Sequence, residues 1–365
     1  MEYEGEHRFG PLLASRLTGR NNNLNLVRIL AAMAVIVSHA FVLTSGDPFA
    51  DPLHAPLGTS IGFLAVAVFF AISGLLIARS FDRRASIWHF GLARVLRLWP
   101  ALIVAVMLTA FVLGPALSQL SPDRYFSARE TWAYVPTNLA LVARQDALPG
   151  LFADNPYPHA VNGSLWSLFY EVACYLGLTL IGLLGLLRKQ WSVIALVIGG
   201  AAAHVIATTS VGSGPIGYRL DLLAEIGFAF ALGMAAFIAR DRLRLSWKAA
   251  ALAWLAVALL WLTPLVQTAL ITALSYSVLV FGFATRNRLL RYNALGDYSY
   301  GTYIYAFPIQ QALIQLFPGQ TALQNMALAI PVTLLFAITS WHVIERPALA
   351  SSRPLADRLA SSKKS

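Results

Sequence analysis

The sequence predicts an all-α, polytopic integral membrane protein of about ten transmembrane helices, with both termini in the cytoplasm. Three observations carry this. Of 365 residues, 58% are hydrophobic and only 12% are charged, against roughly 25% charged in a soluble domain. Mean hydropathy is +0.64. Apolar runs of about 18 residues or more, enough to cross a bilayer, recur along the chain.

The elements follow in order. A polar tail of mixed charge, residues 1–23, does not fit the short basic start of a secretory signal, so the first helix is expected to be retained. The first apolar run is 24–44 and the second 58–80. Residues 81–97 read as a short amphipathic helix at the inner surface, with Arg83, Arg84, Arg94 and Arg97 among Trp88, Phe90, Leu92, Val95 and Leu96. The third run, 98–117, opens at Trp99-Pro100. Residues 118–164 form one long outer loop, rich in Pro, Asp and aromatics, which points to an ordered lid. Seven more runs follow at 165–187, 191–208, 219–239, 247–263, 265–285, 298–317 and 322–344. The transmembrane domain is therefore 24–347, and 348–365 is a cytoplasmic tail.

Charge orients these elements. With the N-terminus inside, all Lys and Arg except Arg124, Arg129, Arg144 and Arg219 fall on the inner side. That places 23 of the 27 cations there, as the positive-inside rule requires. An odd helix count would break the alternation. The net charge of +10 thus reflects contact with membrane lipids and not with nucleic acid. Cys174 has no disulfide partner and no neighbours at metal-ligand spacing, so it reads as a small buried apolar residue and no metal is expected.

Ionisable residues inside apolar runs need a reason to be there. Arg28 and His39 lie eleven residues apart, almost three full turns, so they share one helix face about 16 Å apart along the axis. Alone, Arg28 fits a side chain snorkelling to the inner headgroups, and His39 fits a satisfied interhelical hydrogen bond. Together they fit a face turned to the bundle interior or a cavity. Glu171 and Glu225 lie at similar depth in the fourth and sixth runs. A carboxylate beside His39 would orient the imidazole as a general base, or a buried His–Glu pair would only lock helices together. Arg94 and Arg97, three apart, point the same way and suit phosphates or simple anchoring at the lipid surface.

The residues also carry a resemblance. VRILAAMAVIVSHAF resembles the R-x10-H signature of the membrane-bound acyltransferase 3 family. FFAISGLLIARSF, ARVLRLWP, NGSLWSLFYEVACYL, LGDYSYGTYIYAFPIQQAL and VIERP resemble its later motifs, in order, from Leu24 to Pro347. The resemblance implies a bacterial inner-membrane enzyme that takes an acyl group from cytoplasmic acyl-CoA, usually acetyl-CoA. The acceptor would be a hydroxyl of a glycan such as lipopolysaccharide or exopolysaccharide, or of a lipid-linked sugar. By motif match His39, Glu171 and Arg28 become catalytic candidates. Arg94, Arg97 and Ser73 become donor contacts. Asn162, Trp166, Glu225 and Tyr303 are the substrate-side candidates. Where many members carry a late-helix histidine, this chain has Ala306, which leaves His39 as the main base. Ser73, the late-helix tyrosines and Asn162 are candidate donors to an oxyanion, and the sequence does not choose among them.

Two other readings stand beside this one. A transporter or flippase without covalent chemistry would also bury charge, but its usual paired repeats are not found. A structural partner of glycan machinery would tolerate loss of His39.

Overall fold

Apolar runs form helices in a membrane because only a helix or a closed barrel satisfies every backbone polar group internally. In the computed structural model, which describes residues 10–17, 21–83, 87–142, 145–210, 214–284 and 289–351, those runs are helical. Among the described residues there is no β-strand, only an isolated bridge pairing Leu12 with Arg244. Residues 1–9 and 352–365, and Arg20, Arg84, Arg144, Arg286 and Arg288 of the charge pattern, lie outside them.

The helices are α1 (Leu24–Ser45), α2 (Ile61–Asp82), α3 (Ile87–Leu117), α4 (Pro122–Ser127), α5 (Arg129–Ala140), α6 (Gly163–Leu183), α7 (Trp191–Thr209), α8 (Gly214–Ile238), α9 (Trp247–Leu259), α10 (Val266–Ala284), α11 (Ser299–Leu316) and α12 (Ala322–Ala350). Eight of them are long and apolar enough to cross a membrane, and the chain is an all-α polytopic membrane protein. Two of the ten expected spans fall outside that set. Helix α9 has 13 residues, about 20 Å at 1.5 Å per residue, against a hydrocarbon core of about 30 Å. Helix α11 carries three glutamines, three tyrosines, Ser299 and Thr302.

The sequence expectation of a separate surface helix over 81–97 is corrected. Helix α3 runs unbroken from Ile87 through Pro100 to Leu117, with a π turn at Thr109–Leu113. Pro100 costs one backbone hydrogen bond, which did not suffice to end a helix that buries Phe90, Ala93, Leu98, Ala101, Leu102, Ala105 and Val106.

The chain divides into two compact units, with boundaries inside α1, α2 and α6. One gathers Met1–Ala31, Phe63–Arg83 and Tyr170–Gly296. There α2 and α8 cross on glycines. A Cβ on Gly74 would overlap the Phe230 carbonyl, and one on Gly233 the Ala71 carbonyl. In the same unit Asn23 N donates to Gly282 O at 2.8 Å, and buried His204 Nδ1 lies 2.9 Å from Thr268 Oγ1.

The other unit gathers Ala32–Gly62, Arg84–Phe169 and Asp297–Ser365. Its centre is α11, which buries 14 of its 18 residues. A helix buried on nearly every side does not face lipid, so it can hold glutamines provided they are bonded. Gln311 Nε2 donates to Tyr157 O and Ala160 O, both at 2.8 Å, and Asn155 Nδ2 donates to Gln311 Oε1 at 2.8 Å. Gln315 Nε2 donates to Leu117 O at 2.6 Å. The connection between α3 and α6 is thereby tied to α11. Tyr125 OH donates to Ala110 O at 2.7 Å; burial pushes this phenol up to about 12, so it remains a donor at any working pH. The described non-glycine residues with left-handed backbone, Leu141, Phe152 and His159, all lie in this connection, each costing roughly 1–3 kcal/mol.

Candidate active site

His39 lies on the part of α1 that belongs to the second unit. Its ring meets Phe307 of α11 edge-on, with centroids 5.0 Å apart and planes at 76°. The residue is half-buried. Its Nδ1 is buried and has no hydrogen-bond partner among the described residues. The carboxylate expected to orient the ring is therefore not bonded there. Glu171, the expected acid, accepts instead from Tyr175 OH one turn along α6, a local i,i+4 bond that competes well for a carboxylate on a helix face.

The acid that the structure sets beside this turn is Asp51, which sequence reasoning missed. It is 3% exposed. Its Oδ2 accepts from Ser38 Oγ at 2.5 Å and from Ile61 N at 3.0 Å, and its Oδ1 accepts from Leu53 N at 2.9 Å. Asp51 thus ties the residue preceding His39 to the first turn of α2. The available signal was an aspartate in the short segment between two apolar runs, directly before Pro52.

Helix α11 places the substrate-side candidates. Pro308 lacks an N–H, so Ile304 O loses its helical donor. Asn162 Nδ2 fills that position at 2.9 Å, which fixes the amide orientation. Asn162 Oδ1 is left buried without a partner among the described residues. Tyr303 OH donates to Ser164 O at 2.8 Å and lies 2.6 Å from Ser167 Oγ. Trp166 is half-buried in the first turns of α6. Gly163 packs against the same Phe307 ring that meets His39; a Cβ there would lie 2.5 Å from Phe307 Cε2.

The two arginines of α3 diverge in role. Arg97 Nη2 lies 2.6 Å from Asp297 Oδ2, and its Nη1 lies 3.5 Å from Glu345 Oε2. Its guanidinium also sits 5.7 Å from the Tyr300 ring centroid. Ser299 Oγ and Ser340 Oγ donate to the two acids at 2.6 and 3.0 Å. Arg97 is thus engaged by two buried carboxylates, which disfavours a phosphate there. Arg94 is half-buried with its Cζ 5.8 Å from the Phe90 ring centroid.

The remaining candidates belong to the first unit. Arg28 Cζ lies 5.9 Å from the Phe69 ring centroid. Ser73 is half-buried next to the Gly74 crossing, and Glu225 is half-buried on α8. Among the described residues, no group of three His, Cys, Asp or Glu could hold a metal ion.

The helices define a multi-pass membrane protein, holding a half-buried imidazole whose Nδ1 has no partner among the described residues. The sequence completes it: a profile for an acyltransferase domain matches residues 21–343, and the chain belongs to the acyltransferase 3 family. It is an acyltransferase. It is 27% identical over 340 residues to an "O-acetyl transferase" of Shigella phage Sf6, covering 92% of this chain and 98% of that protein. It is 28% identical over 380 residues to "Nodulation protein 10" of Rhizobium leguminosarum bv. viciae, covering 94% and 97%. No solved structure matches.

Proposed function

We propose that this protein is an O-acetyltransferase of the bacterial inner membrane. It takes the acetyl group from cytoplasmic acetyl-CoA and delivers it to a sugar hydroxyl of an exported or lipid-linked glycan. His39 is the general base. The observation that carries this reading is the imidazole itself, set against Phe307 yet lacking a partner on Nδ1 among the described residues. An imidazole that only locked helices together would have its buried nitrogen bonded.

In direct transfer, His39 takes the hydroxyl proton as the sugar oxygen attacks the thioester carbonyl. Collapse of the tetrahedral adduct expels the CoA thiolate, which receives the proton from the imidazolium. Arg94 is the donor contact on α3, since Arg97 is engaged by Asp297 and Glu345. Arg28 and Ser73 stay on the donor side, and Glu171 stays a site carboxylate. Trp166, Glu225 and Tyr303 remain acceptor-side groups.

The test is thioester consumption. Purified wild-type protein in lipid nanodiscs, given acetyl-CoA and a lipid-linked glycan, should release free CoA thiol and add one acetyl increment to the glycan by mass spectrometry. His39→Ala should abolish both while the protein stays folded. Glycan movement across a vesicle without thiol release would establish the transporter reading instead.

A further inference from the structure

Resting on the proposed acyl transfer, we infer that Ser164 is a further catalytic residue, whose hydroxyl donates to the thioester oxyanion. Two of the tyrosines named by sequence are already committed as donors. Tyr303 OH has one hydrogen, and it is spent on Ser164 O. Tyr300 OH spends its own on Leu98 O at 2.9 Å. Asn162 Nδ2 spends one of its two hydrogens on Ile304 O, which fixes the amide, and its Oδ1 accepts only. Asn162 Oδ1 instead suits a hydroxyl of the acceptor sugar.

Ser164 differs from Tyr303 and Tyr300. It is 0% exposed, and its Oγ has no hydrogen-bond partner among the described residues. A buried polar group left unbonded costs about 1–3 kcal/mol. Ser164 Oγ is such an atom, as are His39 Nδ1 and Asn162 Oδ1. The Phe307 ring meets both His39 and Gly163, the neighbour of Ser164. That shared ring links the imidazole to the start of α6, where a ligand's polar atoms would complete the bonding.

The local fold supports an anion there. Ser164 lies in the first turn of α6, a 21-residue helix whose N-terminal end carries positive dipole. Asn162, at its N-cap position, makes no side-chain cap bond, because it serves the carbonyl freed by Pro308. In the step proposed, the bond from the sugar oxygen to the carbonyl carbon forms and the carbonyl π electrons move to oxygen. Ser164 Oγ–H donates to that O⁻. As the C=O re-forms, the C–S bond breaks, and the proton held by His39 passes to the thiolate.

The experiment is Ser164→Ala in the full-length protein in nanodiscs, read by kcat, by KM for acetyl-CoA and by thermal melting. Losing one oxyanion donor should lower kcat about 10²–10³-fold with KM nearly unchanged. Removing an unbonded buried hydroxyl should leave the melting temperature unchanged or higher. Wild-type kcat overturns the inference, as does a fall in kcat matched by a lower melting temperature, which is what a packing role gives. If Ser164→Ala does not accumulate, Ser164→Cys keeps the shape with a weaker donor and should lose at least about tenfold in kcat; normal turnover overturns the inference. Thiol release by wild type that His39→Ala abolishes, with Ser164→Ala fully active, removes Ser164 alone. No thiol release by wild type removes the acyl-transfer reading itself.

Discussion

Replacing Arg97 with alanine separates a structural cation from a donor contact. The guanidinium is 12% exposed, and its partners Asp297 and Glu345 are 11% and 1% exposed. Deleting it removes a cation that both buried carboxylates meet. Breaking a buried pair by removing one partner costs about 3–5 kcal/mol. At about 2–4 °C per kcal/mol for a chain of a few hundred residues, melting should fall by roughly 6–20 °C. Melting in detergent, followed by the loss of monodisperse protein on size exclusion, reads this directly. Asp297→Asn should cost less, since Arg97 keeps Glu345 as partner. The double variant Arg97→Ala with Asp297→Asn should recover part of the loss, a coupling that a double-mutant cycle isolates. Arg97→Ala melting like wild type while losing acetyl-CoA affinity would refute the argument and return Arg97 to the donor site.

Two further outcomes follow from the same geometry. Arg94→Ala should raise KM for acetyl-CoA several-fold; an unchanged KM, measured by initial rates of thiol release, removes Arg94 from the donor site. Gly74→Ala should destabilise the protein by at least about 1–3 kcal/mol, because the new Cβ overlaps the Phe230 carbonyl and backbone cannot rotate aside; an unshifted melting curve would show that α2 and α8 do not cross there.

The helical class was legible because membrane burial writes itself in composition. All ten apolar runs are helical, and eight meet the length and hydropathy of a span. What misled was local grammar. Pro100 and the four flanking arginines read as a boundary, yet the α3 residues on both sides of the proline pack into the same interior, and tertiary burial outweighed one missing hydrogen bond. Helix α11 reads poorly as a span for the opposite reason. Its glutamines and tyrosines are bonded to loops and neighbouring helices, so the residue types that count against a lipid-facing helix serve a central one.

The site was legible one residue at a time but not in its pairings. Arg97, Asp297 and Glu345 each sit in a motif visible in the sequence, yet Arg97 and Asp297 are 200 positions apart. Spacing within one helix cannot say whether a cation holds the protein or the substrate. That depends on whether carboxylates from remote segments already neutralise it. His39 was found because a lone imidazole in an apolar helix is conspicuous, whereas Ser164 was passed over because serine is common at the start of a helix. The case for it lies in a bond it does not make among the described residues. A stable fold gains by bonding every buried polar atom, so His39 Nδ1, Asn162 Oδ1 and Ser164 Oγ oppose stability. Ser164→Ala should leave the fold as stable or more so while slowing its chemistry. Arg97 should behave in reverse, costing fold first and activity only as a consequence.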